Sequence, residues 1–529
     1  MFVYSTSHFG RNKAFYTIND GGYTYNEFRE KTEKIAYLLR DLGLKSGDKI
    51  AILSQSMANW PVAFFSITAF NTVAIPILPD FSQGEISNIL EHSDSKALFI
   101  SKKLLNKLSD GAKEMLSAVI IIDDFEVIKG RMVENQEPLN IPQETDLATI
   151  IYTSGTTGNS KGVMLSHKNW CANLQAAEIL RPSYEWDVYL SILPLAHSYE
   201  CGIGLMPPML TGGSLYYLDK APTASILISA LKEIRPTTML TVPLIIEKIY
   251  RNAILPKFQK NGLIKAIYKT GVGRKILNRI AGKKLMAQFG GRLRFFGIGG
   301  AKLDSEVERF LLEAKFPYAI GYGLTEASPL LAGANTKMVA WKSTGPAVHG
   351  VKLRIDNPDP VTGEGEILAR GNNIMMGYYK NPEATAAVFT SDGWFRTKDL
   401  GILDKKQRLY VKGRLGSMIV RPSGENIYPE EIESIINNHD IVEESIVVQR
   451  EGRLVALIHL NKEKLKTYIE EKQNFVCETA QQCVEILVEE IQRYVNLRVR
   501  KFSGIALIEL YDEQFEKTPT MKIKRYLYR

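Results

Sequence analysis

The chain has 529 residues, of which 45% are hydrophobic and 23% are charged, with 22 prolines and 40 glycines. This composition is that of an ordinary globular protein and excludes collagen-like, disulfide-scaffold and mostly disordered chains. Because a single hydrophobic core stops growing at roughly 250–300 residues, we expect at least two packed units. The net charge of +8 is too small to identify a nucleic-acid-binding protein, and no nucleic-acid partner is expected.

The four cysteines are too few for a disulfide framework in so long a chain, and they predict a reducing compartment. The first residues show no basic segment followed by an apolar core, so no secretory signal is visible. Residues 50–79 carry no charge and are long enough to cross a bilayer. Prolines and polar side chains interrupt them, which favours a buried strand, helix and strand. The sequence therefore predicts a cytoplasmic protein without a transmembrane span.

Between Tyr25 and Ile122 the hydrophobic pattern alternates between helical and strand periods. Four short apolar runs predict strands, with helical segments between them: Lys49–Leu53, Val73–Ile75, Ala97–Ile100 and Val119–Ile122. Strands of continuous apolar character separated by helices are typical of a parallel sheet covered on both faces. Ligands of such sheets bind beyond the carboxyl ends of the strands, so the loops there are candidate sites.

A further predicted strand, Ala148–Tyr152, runs directly into a loop with the sequence TSGTTGNSKG, residues 153–162. Its glycines and small hydroxyl side chains around Lys161 can wrap a polyphosphate closely, with N–H and hydroxyl groups donating. The loop does not match the P-loop of kinases and ATPases, because Ser160 and Gly162 flank the lysine. The alternative to a phosphate-binding loop is a flexible connection.

The pattern changes near Gly413-Arg414, after which the chain is first polar and turn-rich. A helix, two strands and a long helix then follow: Pro429–Asn437, Ser445–Gln449, Leu454–Leu460 and a helix that ends before Arg500. We therefore predict an α/β fold with a large N-terminal domain of helix-covered parallel sheets, residues 1–413. A small α+β C-terminal domain, residues 414–529, follows it.

Five motifs occur in a fixed order along the chain: YTSGTTGxxKG from Tyr152, GYGLTE from Gly321, FRTxD from Phe395, Gly413-Arg414, and TPTMK from Thr518. In this order they resemble the adenylate-forming superfamily, which includes the acyl-CoA synthetases, and the resemblance covers roughly residues 20–529. It implies that the small domain is hinged to the large one at Gly413-Arg414. It also implies that ATP and a carboxylic acid give an acyl-adenylate and pyrophosphate, followed by transfer of the acyl group to coenzyme A.

The resemblance assigns the ATP phosphates to one loop, whose candidate residues are Thr153, Ser154, Gly155, Thr156, Thr157, Gly158 and Lys161. Thr153 and Glu326 become the candidate Mg²⁺ ligands, since Mg²⁺ prefers oxygen ligands. Thr325 is placed to donate to the α-phosphate. The adenosine is assigned to two glycine-containing segments, to an acid and to an arginine. The segments are Gly299-Gly300-Ala301 and Tyr322-Gly323, the acid is Asp399 and the arginine is Arg414. In that assignment Tyr322 stacks on the adenine and Asp399 accepts both ribose hydroxyls.

The implied chemistry needs no general base, because the carboxylate of the acid is already ionised at neutral pH. It needs positive charge at the α-phosphate and a metal ion at the leaving pyrophosphate. Lys522 is the candidate catalytic lysine and Lys524 the fallback. The alternative is that Lys522 is a solvated residue of a basic tail.

Coenzyme A is assigned to Ser423, Gly424 and Glu425, which resemble the loop that approaches the pantetheine arm. The chain departs from the family pattern at three positions. Gly416 stands where the hinge commonly has Asp or Lys, Ser160 where Pro is usual, and Met521 where Gly is commoner. These departures bear on the hinge more than on the chemistry.

Two segments, PLAHSYE from Pro194 and VPLIIEKIY from Val242, resemble segments of long-chain fatty acyl-CoA ligases. His197 is a candidate catalytic-site residue that gates the acyl pocket, or it is a structural histidine. The sequence identifies no charged residue that would recognise a polar tail, which favours a fatty acid as substrate. An aryl or medium-chain acid, a carrier-protein acceptor, and a silent nucleotide- or membrane-binding protein are the alternatives.

Residues 251–294 contain twelve lysines and arginines and no acid, so the rest of the chain carries a net charge of −4. Apolar side chains give part of this segment one hydrophobic side at near-helical spacing. A basic amphipathic helix of this kind can lie on an anionic membrane surface. One interpretation of the sequence is therefore peripheral contact with the inner face of the membrane. The alternative is a core-facing helix with a solvated basic side.

Overall fold

The computed structural model describes residues 1–133, 138–153, 160–220, 222–420, 426–473, 475–500, 503–518 and 523–528. Two eight-stranded sheets form most of the large N-terminal part. The first sheet contains, in spatial order, strands Leu330–Gly333, Tyr318–Gly323, Phe295–Ile298, Thr238–Thr241, Val188–Ser191, Ser214–Tyr217, Lys13–Thr17 and Gly21–Thr24. Its inner strands are parallel, and the strand at each edge is antiparallel.

The second sheet is covered on both faces, as the apolar runs predict. Its strands are, in spatial order, Gly377–Tyr378, Lys161–Ser166, Leu147–Thr153, Val73–Ile77, Lys49–Leu53, Ser95–Ile100, Ala118–Ile121 and Val127–Lys129. Ile50 and Ile52 pack into one hydrophobic cluster, whereas Ala51 and Leu53 pack into another on the opposite face. Because both faces of strand Lys49–Leu53 are buried, its residues do not alternate between apolar and polar. This continuous apolar run is what made the strand recognisable in the sequence.

A third sheet has five antiparallel strands and was not predicted from the sequence. Its strands are, in spatial order, Gly345–Pro346, Arg408–Arg414, Phe395–Leu403, Gly365–Gly371 and Val351–Asp356. Many of its side chains are only half-buried, so these strands lack the continuous apolar runs of the other two sheets. The sheet positions Asp399 and Arg414 opposite one another on adjacent strands.

Helices cover the sheets and begin in many places at a capping side chain. Thr24, Ser82 and Ser166 each accept a hydrogen bond from the third helical residue, which satisfies a backbone N–H at the helix start. The α-helices of the large part are Phe2–His8, Tyr25–Asp41, Asn59–Thr68, Gln83–His92, Asp110–Met115, His167–Leu180, Met206–Thr211, Ala224–Ile234, Pro243–Ile249, Leu255–Gln259, Gly262–Lys269, Gly271–Gln288, Ser305–Ala314 and Pro382–Ala386.

The uncharged residues 50–79 form a strand, the buried helix Asn59–Thr68 and a second strand, as predicted. Within the described ranges, no helix combines the length and the apolar character needed to span a bilayer.

The C-terminal part forms its own α+β unit with its own hydrophobic cluster. Its elements are strands Ile419–Val420, Asn426–Ile427, Val442–Arg450, Arg453–Leu460 and Leu507–Tyr511 and helices Pro429–Ile436, Lys462–Lys472 and Ala480–Asn496. Cys477 and Cys483, both buried, form a disulfide between residues six apart, which joins the connection after helix Lys462–Lys472 to the first turn of helix Ala480–Asn496. This is a single local pairing and not the framework that the sequence excluded.

Polar contacts around Asp304 join the C-terminal unit to the large part. Asp304 Oδ2 accepts hydrogen bonds from Asn438 Nδ2 at 2.6 Å and Ser434 Oγ at 3.4 Å. Lys302 forms an ion pair with Glu431 at 2.6 Å. Polar contacts of this kind are typical of interfaces between domains that move relative to one another.

Candidate active site

The candidate phosphate-binding loop connects two adjacent antiparallel strands of the second sheet. Thr153, the last residue of one strand, pairs with Lys161, the first residue of the next. Five predicted residues of the loop, Ser154, Gly155, Thr156, Thr157 and Gly158, lie outside the described residues. The two described ends of the loop, Thr153 and Lys161, therefore mark one border of the candidate site.

Tyr378 links this loop to Glu326, although no motif predicted its role. The Lys161 ammonium nitrogen lies 5.2 Å from the centre of the Tyr378 ring, and the Tyr378 hydroxyl donates to Glu326 Oε1 at 2.9 Å. Burial and the neighbouring Glu326 both raise the pKa of Tyr378, so the phenol stays protonated and remains a donor. A lysine, a phenol and a carboxylate thus lie side by side.

Thr325 lies close to the segment that contains His197. Ser198 Oγ lies 3.2 Å from Thr325 Oγ1, within hydrogen-bond distance. The backbone N–H of Tyr199 donates to His197 Nδ1 at 3.2 Å. Because Nδ1 is an acceptor, a neutral His197 ring carries its proton on Nε2. The structure therefore brings His197 and Thr325 to the same region, as their candidate roles require.

Tyr322, Asp399 and Arg414 form a connected group at the other side of the site. The Tyr322 hydroxyl donates to Asp399 Oδ2 at 2.8 Å, and Arg414 Nε lies 3.5 Å from Asp399 Oδ1. Burial, followed by the charge of Asp399, raises the pKa of Tyr322 well above its usual value. The tyrosine therefore orients the carboxylate through a persistent hydrogen bond, a contact that its sequence motif did not predict.

Backbone conformation explains the glycines that follow the strand Phe295–Ile298. Gly300 has a φ of +86°, in the left-handed region that favours glycine. A Cβ at Gly299 would lie 3.0 Å from the Tyr199 ring, so a larger residue there would press the ring away from its position. Ala301 follows in the same loop and is exposed, as Gly300 is. Gly323 likewise has no room for a side chain, because a Cβ would lie 1.9 Å from the Pro329 carbonyl oxygen.

The predicted coenzyme A residues Ser423, Gly424 and Glu425 and the catalytic candidate Lys522 lie outside the described residues. The fallback, Lys524, forms an ion pair with Glu516 at 2.6 Å, and this contact raises the lysine pKa. An ammonium held by a carboxylate suits a structural role better than a catalytic one.

A cavity of about 60 Å³ lies beside the part of the site that contains Tyr199 and Gly321, between helix His167–Leu180 and the first sheet. Tyr199, Gly297 and Gly321 line the part of the cavity that adjoins the site, since they neighbour Ser198, the Gly299 loop and Tyr322 in the chain. Most other lining side chains are aliphatic, among them Leu180, Ile203, Leu240, Ile298, Ile320 and Leu330. An apolar cavity with few polar groups is the usual form of a site for a small organic ligand.

A model of the AMP-binding enzyme family matches residues 5–379. The chain is 28% identical to long-chain-fatty-acid–CoA ligase FadD15 of Mycobacterium bovis, over 92% of this chain and 87% of that protein. It is 27% identical to long-chain-fatty-acid–acyl-carrier-protein ligase AEE15 of Arabidopsis thaliana, over 95% and 80%. It is 28% identical to 4-coumarate–CoA ligase 1 of Solanum tuberosum, over 81% and 77%.

The fold is also that of solved acid–CoA ligases. The structure of O-succinylbenzoate coenzyme A synthetase from Bacillus subtilis, in complex with AMP, superposes with a TM-score of 0.78. The match covers 100% of this chain and 97% of that chain, at 22% sequence identity.

Proposed function

The chain belongs to the AMP-binding enzyme family, and from this premise we propose that it is an ATP- and Mg²⁺-dependent ligase that joins a carboxylic acid to coenzyme A. In the first step a carboxylate oxygen bonds to the α-phosphorus of ATP and pyrophosphate leaves. In the second step the sulfur of coenzyme A bonds to the acyl carbon and AMP leaves. The observation that carries the proposal is that residues of four motifs lie in local contact groups: Lys161 and Glu326 both contact Tyr378, Thr325 contacts Ser198, and Asp399 contacts Tyr322 and Arg414.

Glu326 fits the role of a Mg²⁺ ligand because carboxylate oxygens are the ligands this ion prefers. In the part of the chain that the structure describes, no group of three or more His, Cys, Asp or Glu side chains could hold a metal. We assign the further ligands of the ion to the nucleotide phosphates and water, its usual arrangement in ATP-dependent enzymes. Thr153 is the second proposed ligand. When bound, the ion stabilises the charge of the leaving pyrophosphate.

The remaining assignments are those that the sequence motifs imply. Asp399 accepts the ribose hydroxyls while Tyr322 and Arg414 hold its carboxylate. Gly299 and Gly300 let the backbone approach the base, and Gly323 lies in the same region as Tyr322. Thr325 donates to the α-phosphate, and His197 gates the cavity. The proposed division into residues 1–413 and 414–529 places Ser423, Gly424, Glu425 and Lys522 on the smaller domain.

The first candidate substrate is a long-chain fatty acid, the class predicted from the sequence and supported by two of the relatives. The second candidate is an aryl or medium-chain acid, supported by the 4-coumarate relative and favoured by the cavity. Its volume of about 60 Å³ is far below the roughly 300–1,000 Å³ of pockets that enclose drug-sized ligands. A short or ring-sized tail therefore fits the described conformation better than a long chain does.

Coenzyme A is the proposed acceptor, and a carrier-protein thiol is the alternative. Most of the matched relatives named above act on coenzyme A by name, whereas one acts on an acyl carrier protein. Both acceptors present the same kind of thiol to the acyl carbon, so the residues of the adenylation site do not discriminate between them.

Peripheral membrane contact of a cytoplasmic protein is part of the proposal, because an aliphatic stripe lies on the surface of the basic segment. The stripe consists of Leu263, Ile267, Val272, Ile276 and Ile280, which are between 41% and 73% exposed. On its other face, helix Gly271–Gln288 buries Asn278 and Gly282 against helix Ser305–Ala314. The helix therefore divides its aliphatic side chains: Leu285 is buried, whereas Val272, Ile276 and Ile280 face outward, and such an exposed aliphatic face suits the interface of an anionic membrane.

Pyrophosphate release and acyl-CoA formation, measured across fatty, aryl and medium-chain acids, test the proposed reaction. Lys522→Ala should lower pyrophosphate release at least ~100-fold, the usual effect of removing one preorganised stabilising charge. The control is Lys524→Ala, which removes a lysine paired with Glu516 and should leave the rate within a few-fold of the parent. Parental rates in Lys522→Ala would refute the lysine assignment, and no turnover with any acid would refute the ligase. Pyrophosphate release without acyl-CoA formation would point to a carrier protein.

A further inference from the structure

One end of the cavity beside Tyr199 is polar, although the rest of its lining is apolar. Five polar residues line this end: Glu178, Arg181, Ser183, Tyr189 and Thr238. They come from helix His167–Leu180, the segment after it and two strands of the first sheet, so no single stretch of sequence reveals them. We call this group the polar floor.

Arg181 organises the polar floor. Its Nη1 donates to Ser183 Oγ at 3.1 Å and to the Tyr189 hydroxyl at 2.9 Å. Its Nη2 donates to Thr238 Oγ1 at 2.6 Å and to Asp187 Oδ2 at 3.1 Å. The Arg181 side chain is 13% exposed and that of Asp187 is completely buried. The guanidinium is therefore fixed in place by four acceptors.

The charged side chains of the polar floor already have partners. Arg181 pairs with Asp187, which also lies 3.6 Å from Arg294, and Glu178 accepts hydrogen bonds from the backbone N–H and the hydroxyl of Ser183. A second carboxylate arriving at this end would find a paired arginine and the nearby carboxylate of Glu178. Its desolvation would not be compensated, so the floor does not suit a dicarboxylic acid.

Thr238 provides the donor that a neutral group could use. Its Oγ1 accepts from Arg181, and no acceptor for its own hydroxyl proton is found among the described residues. Thr238 is only 2% exposed, so water does not freely replace a missing partner. A methyl group against this hydroxyl leaves a buried donor unsatisfied, whereas an oxygen acceptor satisfies it.

We infer that the polar floor selects acids whose tail ends in a neutral oxygen acceptor, such as an aliphatic or phenolic hydroxyl. It disfavours acids of the same length that end in a methyl group or a carboxylate. The inference rests on the proposed function, since it takes the cavity as the site of the acid's tail. It deepens that function by naming the residues that read the far end of the substrate.

Binding without turnover separates the two proposals. Calorimetric titration of the acids alone, without ATP, uses three matched series over a range of lengths: n-alkanoic acids, ω-hydroxyalkanoic acids and α,ω-dicarboxylic acids. A parallel pair, ω-phenylalkanoic and ω-(4-hydroxyphenyl)alkanoic acids, covers ring-sized tails. At the best length we expect the hydroxyl-ended acid to bind about tenfold more tightly than the methyl-ended one, the effect of one satisfied buried hydrogen bond. Equal binding, or a preference for methyl or carboxylate ends at every length, would overturn the inference.

Thr238→Val removes the hydroxyl with little change of shape and should abolish the tenfold preference while leaving the affinity for methyl-ended acids unchanged. Thr68→Val is the matched control, because the Thr68 hydroxyl is also buried but donates to the Phe64 carbonyl at 2.9 Å and lies outside the cavity lining. Survival of the preference in Thr238→Val would overturn the assignment. If both variants fold poorly, Tyr189→Phe removes another hydroxyl of the floor and should weaken the preference. A preference in binding without pyrophosphate release would uphold the floor and refute the ligase.

Discussion

Tyr378 contacts both Lys161 and Glu326, yet it belongs to none of the motifs. Sequence motifs predicted the groups that we propose to contact the nucleotide, because these residue types recur at fixed spacings around phosphates. They did not identify Tyr378, whose acceptor Glu326 lies 52 positions away in the chain, or Arg181, whose acceptors include Thr238 at 57 positions. Residues that orient others were therefore harder to predict than residues that bind directly.

Glu200 is a buried acid that the candidate reaction does not use. It is 1% exposed, and among the described residues its Oε2 has no hydrogen-bond partner. Burial raises its pKa from 4.5 to about 8. Between these two pH values the folded protein holds a proton that the unfolded chain releases, so this group makes stability fall as the pH rises.

Glu200→Gln should therefore become more stable relative to the parent as the pH is raised from 6 to 8. The gain is expected to reach ~1 kcal/mol for each pH unit in that range. Urea unfolding at several pH values measures it, with the exposed Glu30→Gln as control. A stability difference that does not change with pH would show that Glu200 is ionised in the folded state.

At the scale of elements, burial on both faces decided which strands could be predicted. Lys49–Leu53 was predicted with its observed bounds, and the neighbouring parallel strands agree within about two residues. The antiparallel sheet that carries Asp399 was missed, because its strand Val351–Asp356 is half-exposed and mixes charged with apolar side chains. The helix within residues 271–288 was expected to have one apolar side, but its aliphatic residues divide between the core and the surface.

Gly416 follows the third sheet directly, where the proposed hinge begins. The residue is exposed, its φ is not in the left-handed region, and a Cβ there would meet nothing within 4 Å. Alanine therefore fits the described conformation. A rotation that takes Gly416 to positive φ would cost about 1 kcal/mol more with alanine.

Gly416→Ala should leave pyrophosphate release within about twofold of the parent and slow thioester formation about fivefold. Single-turnover measurement of each step, with pre-formed acyl-adenylate for the second, separates the two effects. Gly393→Ala, at an exposed turn with φ of +80°, is the control for a general loss of stability. Equal slowing of both steps, or of neither, would contradict a hinge at this residue.

On the scale of the whole molecule, charge and exposed apolar surface coincide. Seven of the twelve basic residues of the segment 251–294 lie in the two helices that carry the aliphatic stripe defined above, while the rest of the chain is net acidic. The sequence showed the charge but could not show which side of the helix faces outward. The orientation of the helix depends on its contacts with helix Ser305–Ala314. There Glu313 forms an ion pair with Arg274 at 2.8 Å and accepts a hydrogen bond from Asn278.

Sedimentation with vesicles tests whether this surface binds a membrane. Vesicles of phosphatidylcholine and phosphatidylserine should bind the protein, added salt should weaken the binding, and phosphatidylcholine alone should bind little.

Each basic residue near the surface contributes about 1 kcal/mol, so Lys283→Glu with Lys284→Glu should weaken binding at least about tenfold. The matched control is the exposed pair Lys405→Glu with Lys406→Glu, which makes the same charge change elsewhere. Val272→Ser with Ile276→Ser removes apolar contact without changing charge. Equal loss in the control pair would indicate a response to net charge alone, whereas full binding by both surface variants would contradict membrane contact through these helices.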